Sequence, residues 1–306
     1  MNKVFQKVWD WAYGECQNLG GLLSVSWDKC VRSHLYRSPA VLSIQETLAY
    51  IVENKCSVSR FGDGEIKLVA GQSLAFQPYS RALQEGLESV LTCPVDNLLV
   101  CIPGIFGDMS YLIPDARKHW ERHLARFRKD WIHYTSSGAV LFGNAFMTRC
   151  YQMMQDKQAS TAYFRTLKQI WEYRDVLLVE GAESRLGVGN DLFDGVSSLR
   201  RILAPNADAF SLYDRILAEV ESCASPSCLI LIALGPTATI LAFDLARKGY
   251  QALDIGHVDI EYEWFLMGAE HKMPVRGKHV NEAGGSPKDS IGDERYFSEI
   301  VCNITA

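Results

Sequence analysis

Residues Cys228–Leu234 read Cys-Leu-Ile-Leu-Ile-Ala-Leu, and the sequence continues at once with Gly-Pro-Thr-Ala-Thr. An uninterrupted apolar run of this kind is typical of a strand that is buried on both faces. Gly235 supplies a turn, and Pro236 suits the first position of the helix that follows. Gly249 ends that helix, and a second apolar run begins at Ala252–Ile255. The stretch therefore predicts a β-α-β unit of a parallel sheet.

The same alternation of strand and helix extends toward the N-terminus. Two further short apolar runs, Asn97–Ile102 and Asp175–Glu180, read as buried strands. Two longer amphipathic segments, Asp115–Trp131 and Ala159–Tyr173, read as helices. Short apolar strands separated by helices indicate an α/β fold whose mainly parallel sheet is covered on both faces.

The position at which the alternation of strands and helices begins indicates how the chain is divided into domains. We assign residues 1–44 to an N-terminal helical extension and residues 45–306 to the α/β domain. Ser43 and Glu46 have the spacing of a capping box, which marks the start of a helix. The segment Ala283–Asp293 is rich in glycine, serine and charge, so we expect a loose tail there.

Trp9, Trp11 and Tyr13 form an aromatic cluster in the N-terminal extension. Amphipathic rings are favoured at a membrane surface, so the extension could attach the protein to a membrane. A helix that docks on the protein core explains the same residues, and few lysines accompany them. The sequence leaves both interpretations open.

Composition restricts the class of protein. The chain has 306 residues, of which 48% are hydrophobic and 22% charged, and a formal net charge of -5. An acidic balance gives no support for a nucleic-acid partner. Its nine cysteines include no Cys-x-x-Cys pair, which favours reduced thiols. The apolar runs are far shorter than the roughly 20 residues of a membrane span, and no signal peptide is evident. We expect a cytoplasmic protein, with the inner face of the membrane as a second location.

A motif with two carboxylates follows an apolar stretch near residue 60. It reads Arg60-Phe61-Gly62-Asp63-Gly64-Glu65. In an extended or turning backbone Asp63 and Glu65 point to the same side, so both could hold one Mn²⁺ or Mg²⁺ against a diphosphate. Gly62 lets a ligand approach closely, and Arg60 offers a forked donor for a phosphate oxygen. The alternative is a turn with two solvated acids.

The helix that begins at Pro236 offers a second anion site. Its N-terminus carries free backbone N–H groups, which bind phosphates in many α/β proteins. Gly235 allows close approach, and Thr237 or Thr239 could cap those N–H groups. A well-capped structural helix with no ligand is the alternative.

A glycine-rich loop follows the strand that ends at Glu180. It contains Gly187-Val188-Gly189, but Leu192 stands where the dinucleotide fingerprint has its third glycine. This departure disfavours a dehydrogenase. Asn190 and Asp191 either cap a following helix or hydrogen-bond a base or ribose.

The densest polar cluster lies between Asp254 and Trp264. If this segment is extended, His257, Asp259, Glu261 and Glu263 share one face. A neutral histidine there is a metal ligand or base, and a carboxylate could deprotonate a sugar hydroxyl. An exposed alternating strand is the alternative.

Two histidines, His119 and His123, are spaced by four residues as in zinc-binding helices. Glutamate does not occupy the metalloprotease position between them, and the neighbouring residues are basic. We interpret the pair as part of a solvated helix face.

Taken together, these motifs resemble the GT-D glycosyltransferases, also classified as the DUF1792 domain. The resemblance spans about residues 45 to 282 and keeps the order of the motifs. It rests on the Arg60–Glu65 motif, Glu180-Gly181 with the Gly187–Phe193 loop, Leu234–Thr239, Gly256–Trp264, Gly277-Lys278 and Asn281-Glu282.

This resemblance implies a Rossmann-like α/β fold of the GT-D type, a metal-binding Asp63-x-Glu65 pair and a UDP-sugar donor. We expect a metal-dependent glycosyltransferase that moves a hexose, with glucose as the expected sugar, to a glycan or glycoprotein of the bacterial surface. Lys278 could contact a phosphate. The N-terminal helix could associate with the membrane or with a glycan-assembly complex. Asp259 or Glu282 would be the acceptor base, with His257 orienting the base or touching the metal.

Two rival functions use the same residues. A metal-dependent phosphohydrolase would use the acids and His257 to activate water instead of a sugar hydroxyl. A non-catalytic nucleotide-binding subunit of a glycan-assembly complex would bind UDP without turning over a donor.

Overall fold

Eight parallel strands form one sheet in the computed structural model, which describes residues 20–136, 141–279 and 294–305. The strand order across the sheet is β3-β2-β1-β7-β6-β4-β5-β8. The strands are β1 (Ser57–Arg60), β2 (Leu98–Ile102), β3 (Gly143–Asn144), β4 (Asp175–Gly181), β5 (Ser198–Ala204), β6 (Leu229–Ala233), β7 (Gln251–Asp254) and β8 (Ile300–Asn303).

Helices connect most of the strands, as the alternating pattern predicts, but a loop alone joins β4 to β5. The helices are α1 (Ile44–Asn54), α2 (Asp63–Val69), α3 (Arg81–Thr92), α4 (Pro114–Thr135), α5 (Ala159–Trp171), α6 (Tyr213–Cys223), α7 (Pro236–Arg247), α8 (Val258–Leu266) and α9 (Glu294–Glu299). Two 3₁₀ turns, Ala145–Thr148 and Ala209–Leu212, follow β3 and β5.

Both faces of the sheet are buried, which explains the uninterrupted apolar strands. In β4, Val176 and Leu178 pack into one hydrophobic cluster, whereas Leu177 and Val179 pack into the cluster on the other face. Successive residues of a strand point to opposite faces, so a strand covered on both sides must be apolar throughout. The predicted α/β architecture, a mainly parallel sheet between helices, is confirmed.

The sequence-based assignment omits three strands, β3, β5 and β8. Arg200 and Arg201 interrupt the apolar pattern of β5, so the segment does not read as a core strand. Arg201 is nevertheless buried, because its guanidinium pairs with Glu180 at 2.6 Å and with Glu299 at 2.7 Å. The C-terminal segment therefore returns to the sheet as α9 and β8, beyond the predicted loose tail.

The N-terminal extension is helical where the structure describes it. Residues 20–27 are helical, and the helix continues through a π-helical turn, Asp28–Arg32, to Leu35. The buried Asp28 accepts hydrogen bonds from Nε and Nη2 of Arg128, both at 2.8 Å, which joins the extension to α4. The capping box of Ser43 and Glu46 is confirmed at the start of α1. Trp9, Trp11 and Tyr13, like the segment Ala283–Asp293, lie outside the described residues.

The strand order reverses between β1 and β7. The chain runs outward from β1 through β2 to β3, and its later strands fill the other side of the sheet. In open α/β sheets, ligands bind beyond the carboxyl ends of the strands at such a switch point. Within the part of the chain that is described, no helix has the length and hydropathy to cross a membrane.

Candidate active site

A cavity of about 1070 Å³ opens at the carboxyl edge of the sheet, at this switch point. Segments that follow seven of the strands, β1 to β7, line it. The polar residues that matter most for the argument are Arg60, Asp63, Glu65, His119, Arg149, Asn206, Asp208, His257 and Asp259.

Arg60 is the last residue of β1, and at the base of the cavity its side chain contacts the ends of β7 and β3. Its Nε donates to the carbonyl of Asp254 at 3.0 Å, and its Nη2 donates to Oδ1 of Asp254 at 3.1 Å. Nη1 donates to the carbonyl of Ala145 at 3.3 Å. Burial raises the pKa of Asp254, and the Arg60 charge partly offsets that rise. The guanidinium lines the cavity, but in this arrangement its fork holds protein acceptors.

Gly256 makes room for Arg60. Its φ is +44°, a conformation that residues with a side chain rarely adopt. A Cβ at this position would lie only 1.7 Å from Nη2 of Arg60. The glycine after β7 is therefore required by the close approach of the guanidinium.

Asp63 and Glu65 lie in the first turn of α2, which corrects the expectation of an extended or turning backbone. Glu65 accepts a hydrogen bond from the backbone N–H of Gly62 at 2.6 Å and so caps the helix. Asp63 accepts from the ammonium of Lys67 at 2.5 Å, and Nε2 of His119 lies 3.9 Å from it. Residues two apart do not face each other on a helix, yet both carboxylates line the same cavity.

The two carboxylates differ in their electrostatic environment. Burial raises the pKa of Glu65, and hydrogen bonds from the backbone only partly oppose that rise. Burial would also raise the pKa of Asp63, but the hydrogen bond and the charge of Lys67 outweigh it and lower the pKa. Asp63 therefore carries its charge more readily than Glu65.

The donor set fits a divalent cation whose shell a substrate completes. Among the described residues, no group of three or more His, Cys, Asp and Glu side chains forms a full metal cage. Mg²⁺ and Mn²⁺ commonly take one or two protein carboxylates and keep water and substrate phosphates as further ligands. Asp63 and Glu65 offer such a pair of hard oxygen donors at the cavity wall.

The polar cluster after β7 is helical, which corrects the expectation of an extended segment. It forms α8, so only Asp259 and Glu263, four residues apart, share a face. Glu261 points elsewhere and accepts from the backbone N–H groups of Tyr151 and Gln152 at 3.0 and 2.9 Å. His257 precedes the helix and lines the cavity, with Nη2 of Arg149 3.0 Å from its Nδ1.

A buried network joins α8 to the glycine-rich loop. Oδ1 of Asp259 accepts from the Gly187 backbone N–H at 2.7 Å and from Asn190 Nδ2 at 2.9 Å. Lys278 Nζ lies 2.7 Å from both Asp259 and Glu263, and Asn190 also donates to Glu263 at 2.7 Å. Asn190 and Lys278 therefore bind carboxylates, whereas we expected a ribose and a phosphate as their partners. Of these five residues, Asp259 alone is among the described residues that line the cavity.

The remaining predicted residues of this region have other positions. No helix follows the glycine-rich loop, which leads directly into β5, so Asp191 and Asn190 cap nothing there. Asp191 accepts from Lys168 Nζ at 2.7 Å and from the Tyr262 hydroxyl at 2.6 Å, which lowers the pKa of Asp191. Glu282, a candidate base, lies outside the described residues.

The N-terminus of α7 reaches the cavity through Gly235, whose φ is +54°. The expected threonine cap is absent, because no side chain caps this helix. Thr239 donates instead to the carbonyl of Arg60 at 2.8 Å. Thr237 is fully buried, and its hydroxyl has no hydrogen-bond partner among the described residues. The backbone N–H groups of this helix end stay a candidate anion site.

Sequence reasoning missed the opposite wall of the cavity. Phe76 packs against Gly235, and its carbonyl accepts from the Asp208 backbone N–H at 2.8 Å. Gln77 Nε2 donates to Oδ1 of Asp208 at 2.8 Å, which fixes the two segments to each other. These residues belong to loops, one of which follows the unpredicted β5, so no periodic pattern marks them.

The histidine pair on α4 is not a solvated face. His119 is exposed and lines the cavity beside Asp63, but His123 is buried and accepts from Trp131 Nε1 at 3.0 Å. Burial lowers the pKa of His123 to about 4. Trp120 between them is also buried.

Comparison with known proteins places this site in a family. The family model "Glycosyltransferase GT-D fold" matches residues 58–283. A solved structure described as a DUF1792 domain with a distinct glycosyltransferase fold is 43% identical, with a TM-score of 0.81, over 87% of this chain and 95% of that one. A new glycosyltransferase (DUF1792) from Streptococcus sanguinis is 41% identical, also with a TM-score of 0.81, over 87% of this chain and 99% of that one.

Two curated relatives come from streptococci. The chain is 41% identical over 270 residues to the probable glycosyl transferase Gly of Streptococcus gordonii, which covers 88% of this chain and 39% of the relative. It is 41% identical over 266 residues to glycosyltransferase GlyD of Streptococcus pneumoniae serotype 4, covering 86% of this chain and 32% of the relative. The chain thus spans 39% and 32% of the lengths of these two relatives. The matched fold, the order of the motifs and the matched range show that the chain belongs to the family of GT-D-fold glycosyltransferases.

Proposed function

We propose that this chain is a metal-dependent glycosyltransferase that moves a hexose from a UDP-sugar to a glycan or glycoprotein acceptor. One observation carries the proposal. A carboxylate pair, Asp63 and Glu65, lines the same cavity as the N-terminal end of α7 at Gly235. A diphosphate needs both a cation partner and backbone N–H donors, and this cavity offers candidates for each.

Asp63 and Glu65 would hold Mn²⁺ or Mg²⁺, which supplies positive charge against the leaving diphosphate. The N-terminus of α7 at Gly235 would bind a phosphate through backbone N–H groups. Arg60 keeps the ends of β1, β3 and β7 together through its contacts with Asp254 and Ala145, so the cavity floor is rigid. A rigid floor favours catalysis because the donor groups need not reorganise during the reaction.

The transfer step requires a base on the acceptor side. The acceptor hydroxyl oxygen bonds to C1 of the sugar, the bond between C1 and the diphosphate oxygen breaks, and its electron pair leaves with UDP. The hydroxyl proton passes to a side chain within hydrogen-bond reach. Asp259 and His257 line the cavity and are candidates for this role, and Glu282 is the third.

The identity of the sugar and of the acceptor belongs to the same proposal. The resemblance to the GT-D family implies a UDP-hexose, with glucose as the expected sugar. The streptococcal relatives are named as glycosyltransferases, and we extend the proposal to bacterial surface glycan synthesis. The eight cysteines that the structure describes as free thiols support a cytoplasmic site of action, and the inner membrane face stays a proposal.

Calorimetric titration of UDP with and without Mn²⁺ tests the proposal, with GDP as the matched nucleotide. We expect UDP to bind in Mn²⁺ at least tenfold more tightly than without it. A screen of UDP-hexoses for UDP release then identifies the donor. UDP affinity that is the same with and without Mn²⁺, or the absence of UDP binding, contradicts the proposal. Release that no acceptor stimulates favours the phosphohydrolase, and UDP binding without turnover of any donor favours the non-catalytic subunit.

A further inference from the structure

A second cavity of about 810 Å³ lies at the same edge of the sheet, beside the candidate active site. It opens where β2 and β3 end, and the segment that precedes α1 closes its far side. Its size is within the range of small-molecule sites, which is about 300–1,000 Å³. The residues used below are Glu46, Phe106, Asp108, Tyr111, Asn144, Asp156 and Tyr163.

The second cavity shares a wall with the candidate active site. Leu112 and Met154 pair as an antiparallel bridge, and the N–H of Ile113 donates to the carbonyl of Met153 at 3.0 Å. Ile113 and Met153 line the candidate active site, whereas Tyr111 and Met154 line the second cavity. A molecule in the second cavity would therefore lie one thin ribbon away from the donor.

The charge of the lining excludes a phosphorylated ligand. None of the described residues that line the second cavity is a lysine, arginine or histidine, whereas Glu46, Asp108 and Asp156 are carboxylates. A phosphate would be repelled here, so the cavity does not suit a second nucleotide. Carboxylates and tyrosine hydroxyls are groups that hydrogen-bond hydroxyls, and Phe106, Tyr111 and Tyr163 add aromatic surface.

Two carboxylates keep an oxygen for such a ligand. Glu46 uses Oε2 to accept from the Ser43 backbone N–H at 2.8 Å, and Asp156 uses Oδ1 to accept from the Gln158 backbone N–H at 2.9 Å. These hydrogen bonds occupy one oxygen of each carboxylate and fix it in place. The second oxygen of each can accept from a ligand hydroxyl without loss of these bonds.

The residues at the floor of the second cavity are closely packed around Gly104. The Tyr111 hydroxyl donates to the carbonyl of Gly104 at 2.6 Å. A Cβ on Gly104 would lie 2.5 Å from Nδ2 of Asn144 and 3.1 Å from the Tyr111 oxygen. Gly107, in contrast, has nothing within 4 Å of an added Cβ. A side chain at Gly107 can thus enter the cavity region without disturbing the fold.

We propose that the second cavity binds a neutral saccharide unit of the acceptor glycan, whereas the unit that carries the attacking hydroxyl enters the candidate active site on the other side of the ribbon of Leu112 and Met154. This inference rests on the proposed glycosyl transfer, because it names the acceptor site of that reaction. The saccharide hydroxyls would bond to Glu46 and Asp156, and its apolar ring face would pack on an aromatic side chain.

Two variants test the site, Gly107→Trp to block it and Asp156→Asn to neutralise a carboxylate while keeping the oxygen that accepts from the Gln158 N–H. Gly21→Trp is the matched control, because its added Cβ also meets nothing within 4 Å and it lies on the N-terminal helix. The probes are p-nitrophenyl β-glycosides of glucose, galactose and N-acetylglucosamine, followed by saturation-transfer NMR. UDP affinity in Mn²⁺ and acceptor-independent hydrolysis of the UDP-sugar are measured on the same samples.

At least one glycoside should bind the unmodified protein and lose at least tenfold in affinity in Gly107→Trp and Asp156→Asn. UDP affinity and donor hydrolysis should stay within twofold, and Gly21→Trp should behave like the unmodified protein. Equal glycoside binding in blocked and unblocked proteins overturns the inference, as does absence of binding for every glycoside. Those outcomes with UDP binding intact overturn only the acceptor site, whereas loss of metal-dependent UDP binding in the unmodified protein overturns the function itself.

Discussion

The ammonium nitrogen of Lys278 lies 2.7 Å from Oδ2 of Asp259, and both side chains are buried. The same nitrogen lies 2.7 Å from Oε1 of Glu263, so the Lys278 ammonium group pairs with two carboxylates of α8. Asp259 also holds the glycine-rich loop through Gly187. The pair therefore determines how the segment before residue 280, the loop after β4 and the helix after β7 meet beside the cavity.

Lys278→Met should destabilise the fold by about 3–5 kcal/mol, because it leaves two buried carboxylates without their cation. Lys248→Met is the matched control, since Lys248 pairs with Glu221 at 2.6 Å on the surface. An exposed pair of that kind contributes about 0–1 kcal/mol. Urea unfolding of both variants measures the difference. Equal losses would show that the Lys278 pair is no stronger than a surface pair.

Gly256→Ala should displace Arg60 and weaken both folding and donor binding. Its Cβ would clash with the guanidinium, in addition to the penalty for a positive φ. Gly249→Ala isolates that penalty, because Gly249 has φ +87° and open space around its Cβ. We expect about 1 kcal/mol for Gly249→Ala and a clearly larger loss for Gly256→Ala. UDP affinity should fall only in Gly256→Ala, and similar stabilities of the two variants would contradict the clash.

The fold was largely predictable because its strands are buried on both faces. Strands such as β4 and β6 leave an apolar pattern that needs no knowledge of partners. β5 was not predictable, because Arg201 is buried only through Glu180 and through Glu299, a residue far away in the chain. Local pattern cannot reveal a charge that a distant residue neutralises.

The candidate site was predictable in its motifs but not in the roles of the residues. Asp63, Glu65, Gly235 and Asp259 do line one cavity. The direction in which a carboxylate points, however, depends on whether its backbone is helical or extended. Polar and apolar residues alternate in the segment after β7 as they do in a strand, although this segment forms α8. Lys278 illustrates the second limit, since its partners are set by tertiary packing rather than by spacing.

Folding stability should fall as the pH decreases from about 6.5 to about 4, in part because of His123. The pKa of this buried histidine is about 4 in the folded chain, against about 6.5 when unfolded. The unfolded chain therefore binds a proton in this window that the folded chain does not, which favours unfolding by up to about 3 kcal/mol.

His123→Gln keeps an acceptor for Trp131 and should reduce this loss of stability between pH 6.5 and pH 4. Of the charged groups around His123, Asp63 raises its pKa, whereas His119, Lys67 and Arg126 lower it. Urea unfolding at several pH values measures the slope, and His34→Gln, at an exposed position, is the control. An unchanged slope in His123→Gln would assign the pH dependence to other groups.

Asp63→Ala and Glu65→Ala should each abolish the gain in UDP affinity that Mn²⁺ provides. Their effects on folding should differ, because Glu65 also caps α2 through Gly62. Loss of a cap costs roughly 1 kcal/mol. Glu65→Gln keeps an oxygen for the cap but removes the charge, so it should restore stability without restoring the metal effect. Calorimetry and thermal unfolding give the two quantities, and a variant with normal metal-dependent binding removes that residue from the metal site.

The acceptor base is tested by Asp259→Asn and Glu282→Gln. A base variant should bind UDP in Mn²⁺ normally and lose about 10²–10⁴-fold in turnover, because only proton removal from the acceptor hydroxyl is affected. Asp259→Asn also leaves Lys278 with Glu263 as its one charged partner in this network, so it should unfold at a lower temperature. Turnover is therefore measured well below that temperature.

Lys278→Met is measured together with Asp259→Asn as a control, since it disturbs the same network but keeps the carboxylate. A loss of turnover in Asp259→Asn that Lys278→Met does not share assigns the proton to Asp259. A loss of turnover confined to Glu282→Gln assigns the role of acceptor base to Glu282. Near-normal turnover in both Asp259→Asn and Glu282→Gln would show that another residue is the base.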